Sequence, residues 1–291
     1  MRRILIILTI ALIGCQTERP ETSIDFKTIV FNLDNPNDSI GFSNWQKTHL
    51  LNQDNQKIDT LFSQDTIPVG GLYYSDDQFL VYGYCMGEFG GALMFQDKES
   101  KDSIYYLECT CPVMIDKRKD GYYVIESLAH MAGFGKVQFF ESPKELVNID
   151  LDSLRTDWEV KKYPNLTERE RWDKLSNQGT VLIDTMGLTF SMFFPYGNDN
   201  YLIFSDYQNT YLGLLRSDSL QTLDTLMNLP TWGYNDPLND KINGYYHYNF
   251  KRSSSDSDDK IIRKTVSSGD IYAKGDSIVF AYKFNETTEN K

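Results

Sequence analysis

The sequence predicts an all-β protein, on three observations. Aromatic residues make up 14% of the chain, with 19 Tyr and 17 Phe, and such side chains suit pleated, half-buried surfaces. Hydrophobic residues reach 41%, enough to build a core and too many for wholesale disorder. A strand–loop–strand unit also recurs along the chain at a nearly constant interval.

In chain order, the first element is not part of that fold. Arg2 and Arg3 precede the apolar run Ile4 to Ile13, which is broken only by Thr9. A basic start and a short apolar middle match an export signal, and the run is too short for a bilayer, which needs ~20 residues. Leu12, Ile13, Gly14 and Cys15 resemble the lipobox of bacterial lipoproteins. The resemblance implies removal of residues 1–14 and a lipid on the Cys15 thiol. Gln16 at the second mature position implies the outer membrane, with the periplasmic or the outer face left open. Two or more acyl chains anchor stably where one holds marginally. Residues 15–25, polar and with Pro20, read as the lipidated tether. Residues 26–285 form the expected domain and 286–291 a frayed tail.

The recurring units follow. DQFLVYGYCMGEFGGALMF from Asp77 and DGYYVIESLAHMAGFGKVQFF from Asp120 both run from an acidic turn through a strand, a glycine-bearing loop and a second strand. Similar segments begin at Asp199 and Asn243, and a shorter one at Gly275. The segments KIDTLF at Lys57, TLDTLM at Thr222 and VLIDTM at Val181 read as related outer strands. A period near ~43 with several strands per unit resembles a β-propeller, whose blades are four-stranded sheets. That resemblance implies five to seven blades, with the strands after Asp77, Asp120, Asp199 and Asn243 innermost or second. An irregular β-sandwich is the alternative. One stretch breaks the period: Leu166–Gly179 has helix-forming charges, a Thr167–Glu170 capping box and a terminal glycine. SSSDSDD at 253–259 reads as a polar hairpin tip.

Three cysteines remain after Cys15: Cys85, Cys109 and Cys111. Export permits disulfides, and an odd count leaves one thiol over. Cys109 and Cys111 share a strand face. Cys85 bonded to either of them, three buried thiols, or a thiol–His130–Met131 metal site all fit this pattern; no metal or other cofactor is assigned. Loops Gly87–Gly91 and His130–Lys136 occupy equivalent places in two units. They make Glu88, Phe89, His130 and Phe134 candidate ligand-binding residues, with Asp206 and Tyr207 from the third unit. Asp76, Asp77, Glu88, Asp199 and Asp206 recur near strand starts, where acids commonly fix turns. Tyr73, Tyr74, Tyr122, Tyr123, Tyr245, Tyr246 and Trp232 could line a groove, but paired tyrosines on a strand mostly fill core.

Function follows only by class. The formal charge of −12 becomes −14 without Arg2 and Arg3, which argues against nucleic-acid partners. There is no Gly-x-Ser-x-Gly elbow or His-Glu-x-x-His helix. The expectation is a non-catalytic, membrane-tethered module that binds a glycan, a peptide or an envelope protein. A hydrolase or lyase with acids at one mouth, built on Glu88, His130 and Asp206, is the second reading, and a thiol-based metal or redox sensor the third.

Overall fold

The computed structural model describes residues 25–50, 71–130, 132–149, 165, 167–176, 178–217, 219–231, 240–251 and 266–284. The signal and tether, KIDTLF, Met131, Trp232, the 253–259 tip and the tail lie outside them.

The described residues are mainly β. The chain opens with β1 (Lys27–Asn32) and α1 (Pro36–His49). Sheet I is a meander of β2 (Gly71–Ser75), β3 (Phe79–Cys85), β4 (Gly91–Asp97) and β5 (Ile104–Cys109). Sheet II begins with β6 (Pro112–Lys117), β7 (Tyr122–Leu128) and β8 (Phe134–Phe140). The chain then leaves it to add β9 (Val147–Ile149) to the edge of sheet I and to form α2 (Glu168–Ser176). It returns as β10 (Thr180–Met186) beside β8. Sheet III is β11 (Thr189–Tyr196), β12 (Asp199–Ser205), β13 (Thr210–Leu215) and β14 (Leu220–Met227). Sheet IV is β15 (Asp240–Ile242), β16 (Tyr245–Lys251), β17 (Val266–Lys274) and β18 (Ser277–Phe284), completed by β1 lying parallel to β18.

The expected units are therefore real at the level of strands. Those at Asp77, Asp120, Asp199 and Asn243 each lead into the second strand of a sheet. TLDTLM lies in β14 and VLIDTM in β10, the last strands of their meanders. The blade count is corrected. Four open sheets of four or five strands are present among the described residues, and a ring of five to seven blades is not. Two features inflated the number. The unit at Gly275 is β18, the fourth strand of sheet IV. Among the described residues, the long gap between Asp120 and Asp199 holds the β9–α2 excursion and no further sheet.

Turn chemistry sets the hairpins. Asp76 Oδ1 accepts from the N–H groups of Gln78 and Phe79 at 2.8 and 2.7 Å, starting β3. Asp206 Oδ1 does the same for Gln208 and Asn209 at 2.7 Å, starting β13. The expected capping box opens α2: Thr167 Oγ1 accepts from the Glu170 N–H at 3.3 Å, and Glu170 Oε2 accepts from the Thr167 N–H at 2.8 Å. α1 was not expected. Its signals are the Asn35 cap, which accepts from the Asn37 N–H, Pro36 in the first turn, and Lys47 and His49 in the last.

The sheets pack face to face in chain order. Phe79, Val81, Leu93 and Phe95 of sheet I meet Ile115, Tyr122, Val124 and Phe140 of sheet II. Ile125 and Val137 of sheet II meet Phe190, Phe193, Leu202 and Phe204 of sheet III. Met192, Phe194 and Ile203 of sheet III meet Tyr248, Phe250, Ile271 and Phe280 of sheet IV. Each fully buried large apolar side chain contributes roughly 1.5–3 kcal/mol. The two outward faces are covered by helices: Leu175 of α2 joins the core of sheet I, and Phe42 of α1 joins Tyr245, Tyr272 and Val279 of sheet IV.

Candidate functional site

The loops after the second strands of sheets I, II and III, with the links between sheets, make one rim of the molecule. A disulfide joins Cys85, at the end of β3, to Cys111, in the link from sheet I to sheet II, with Cα atoms 4.7 Å apart. It resolves the choice the sequence left open. Cys109 is the remaining free thiol, 4% exposed and packed with Leu93 and Leu107. Burial pushes its thiol up, the nearby Glu126 charge adding to the effect, so it behaves as a small core residue.

The link carrying Cys111 is held from below. Glu126 on β7 and Lys136 on β8 sit opposite each other in the hairpin, and both are buried among apolar neighbours. Glu126 Oε2 accepts from the Thr110 N–H at 2.6 Å, and its Oε1 lies 3.5 Å from Lys136 Nζ. The Gln138 amide, turned to satisfy both, donates to Glu126 Oε1 at 3.2 Å and accepts from Lys136 at 2.6 Å. Burial raises the Glu126 carboxyl above its usual range, against the pull of Lys136 and the Thr110 N–H. Thr110, between the two cysteines, is thereby fixed, and Cys111 is presented to Cys85.

Above this base the rim is apolar. Met86 is 55% exposed, Phe89 78% and Met186 69%. Gly87–Phe89 forms a short 3-10 turn, and Glu88 Oε2 from that turn lies 3.0 Å from His130 Nε2 in the β7–β8 loop. The Gly187 N–H donates to the Gly133 carbonyl at 3.0 Å, so the turn before β11 joins the same surface. Phe134, half-buried, pairs with Met186 across the sheet. Among the described residues of these loops and links the charged groups are Glu88 and Asp206, with His130 beside Glu88 and no Lys or Arg. The opposite end carries Lys98, Lys101, Lys117, Lys119, Lys144 and Arg216 among its acids.

Of the residues expected to share one site, Glu88 and His130 touch, with Phe89 on the same turn. Asp206 fixes its own turn: besides its two turn N–H bonds it accepts from Tyr211 Oη at 2.9 Å. Tyr207 stands on that turn, 42% exposed. Tyr122, Tyr123 and Tyr245 are buried core residues. Among the described residues no group of three or more His, Cys, Asp or Glu could hold a metal ion, and the disulfide removes Cys85 and Cys111 from any thiolate set. Met86 and Met186 were not singled out in the sequence; their signal is an unbranched apolar residue beside a glycine at a loop.

A second polar knot ties the first strands together away from the rim. Asp116 on β6 is fully buried. Its carboxylate accepts from Arg118 Nε at 2.6 Å, from Lys241 Nζ on β15 and from Tyr246 Oη at 3.2 Å. The Arg118 guanidinium lies over the rings of Tyr123 and Phe193 at 4.1 and 4.7 Å and donates to Asn200. Sheets II and IV meet at this carboxylate and Arg118 carries the link on to Asn200 of sheet III, while burial together with Asp76 and Asp116 raises the Tyr74 hydroxyl on β2.

No family model, curated protein or solved structure matches the chain.

Proposed function

We propose that this chain is a lipid-anchored envelope module that binds a partner through its apolar rim without chemistry of its own. The observation that carries the reading is the exposure of Met86, Phe89 and Met186 around the Glu88–His130 pair, on loops pinned by Cys85–Cys111. Exposed apolar clusters rimmed by hydrogen-bonding groups mark interaction sites, and a disulfide-held loop loses little freedom on binding. The lipobox-like Leu12–Cys15 supplies the anchor, and the outer membrane is the proposed location.

The same reading arranges the four sheets as blades about a common axis, an arc of a propeller. Its support is that the sheets follow chain order, that β1 completes the last sheet beside β18, and that first strands β6 and β15 meet at Asp116. In such an arc the second-to-third-strand loops gather at one mouth.

The test is photo-crosslinking in cells making the full chain, with a photoreactive residue replacing Phe89 in one variant and Leu223, exposed on β14, in another. A discrete adduct from position 89 alone supports the reading. No adduct at 89, or the same smear from both positions, contradicts it.

A further inference from the structure

We infer that β1 is a self-complementary edge through which two copies of this chain pair. The inference rests on the proposed anchor for its strength and on the geometry of β1 for its form. β1 ends sheet IV, with β18 on one side and no strand on the other among the described residues. Exposed edges of this kind are normally blunted by brevity or by charge. The edges formed by the last strands of sheets I, II and III obey that rule. β9 has three residues, β10 carries Asp184 and β14 carries Asp224. β1, Lys-Thr-Ile-Val-Phe-Asn, is charged only at its first residue, and Ile29 and Val30 are 41% and 43% exposed.

The hydrogen-bonding pattern identifies the free groups. The Lys27 N–H donates to Asp276 and the Leu33 N–H to Tyr282, at 2.8 and 2.7 Å. Alternation along a strand therefore turns residues 27, 29, 31 and 33 toward β18, and 28, 30 and 32 outward. The Asn32 N–H is already taken by Asp38 Oδ2 of α1 at 3.1 Å. Among the described residues, nothing bonds the outward groups of Thr28 and Val30. A second copy placed antiparallel, with the two-fold axis at Ile29, sets Thr28 opposite the second copy's Val30 on both sides of the axis. Each of these pairs exchanges two backbone bonds, and the two Ile29 side chains become a close cross-strand pair. Isologous pairing of this sort closes on itself and does not propagate.

The anchor selects a second copy as the occupant. In this register the two Lys27 residues stand about four strand residues apart, roughly 13 Å. Both tethers thus leave from one place and can enter one membrane. Four backbone bonds and one apolar pair make a weak contact in free solution. Confinement to a membrane raises the effective concentration toward the millimolar range, where such a contact is occupied.

The test uses Ile29→Cys in the full chain, in envelope membranes under mild oxidation, read on a non-reducing gel beside Leu223→Cys. The expected result is a shift of Ile29→Cys to twice the monomer mass, little shift for Leu223→Cys, and loss of the shift when Val30→Pro is added. That proline removes an outward N–H and spares the bonds to β18. No shift for Ile29→Cys, an equal shift for Leu223→Cys, or a shift that survives Val30→Pro overturns the inference. A palmitate analogue fed to the same cells separates the two ideas. Label without cross-link defeats the edge and leaves the anchor standing. Cross-link without label defeats the anchor and leaves the edge.

Discussion

Glu126 and Lys136 show what one buried ion pair does here. They lie in the centre of apolar strands, where an unpaired charge is strongly disfavoured, and they fix the Thr110 N–H that sets the Cys111 position. Removing one partner leaves the other charged and buried. Lys136→Met should therefore lower stability by roughly 3–5 kcal/mol, whereas Lys136→Met combined with Glu126→Gln should recover much of that loss. Urea unfolding of the three proteins measures it, and a single variant as stable as the parent would contradict this account. The pair was legible in principle, because opposite charges inside the hairpin YYVIESLAHMAGFGKVQFF fall into register once its turn is placed. The acidic residues near strand starts read correctly as turn formers at Asp76 and Asp206. At Asp206 both carboxylate oxygens serve their own loop.

At the scale of elements, the second strand of every sheet could be read from the recurring Asp or Asn turn and aromatic run, and α2 from its capping box. α1 was missed because its faces differ little in polarity; Phe42 is its one buried side chain between Pro36 and His49. What places it is the apolar face of sheet IV, and a single sequence does not show which strand face lacks a neighbour. β9 was missed for a related reason: three residues that complete another sheet's edge have no pattern of their own. The disulfide was legible as a set of alternatives, and the hold on Thr110 decides among them. It closes a loop of 26 residues, for which chain entropy gives about 3.5 kcal/mol. Cys85→Ser with Cys111→Ser should lose a similar amount in denaturant midpoint measurements. A double variant that keeps the parent midpoint would show that the loops are held by packing alone.

Across the whole molecule, the charges are unevenly shared. Lysines and arginines crowd the turns that join first to second and third to fourth strands, while the described rim loops of sheets I to III have none and Lys251 and Lys283 stand at that end of sheet IV. Phe26 packs against Tyr196 and Tyr201, and Lys27 pairs with Asp276. β1 therefore starts at the charged end and runs toward the rim. In the proposed reading the tether leaves from the charged end, so Met86, Phe89 and His130 stand at the end of the molecule remote from their own tether. Ten tether residues span roughly 17 Å on average as a flexible chain, short enough to hold that end near the membrane. The fold class was legible because aromatic content and strand periodicity are local properties. The number of sheets was not, because it depends on which face each helix covers and where an excursion rejoins its sheet.

The tethering of the molecule, and the strength of any pairing through β1, both hang on the thiol of Cys15. The most direct measurement is the mass of the mature amino-terminal peptide from envelope membranes. The account predicts a chain beginning at Cys15 and carrying a diacylglycerol thioether, with Cys15→Ala leaving the precursor uncut and unlipidated. A chain that starts elsewhere, or an unmodified Cys15 in the membrane fraction, would contradict it.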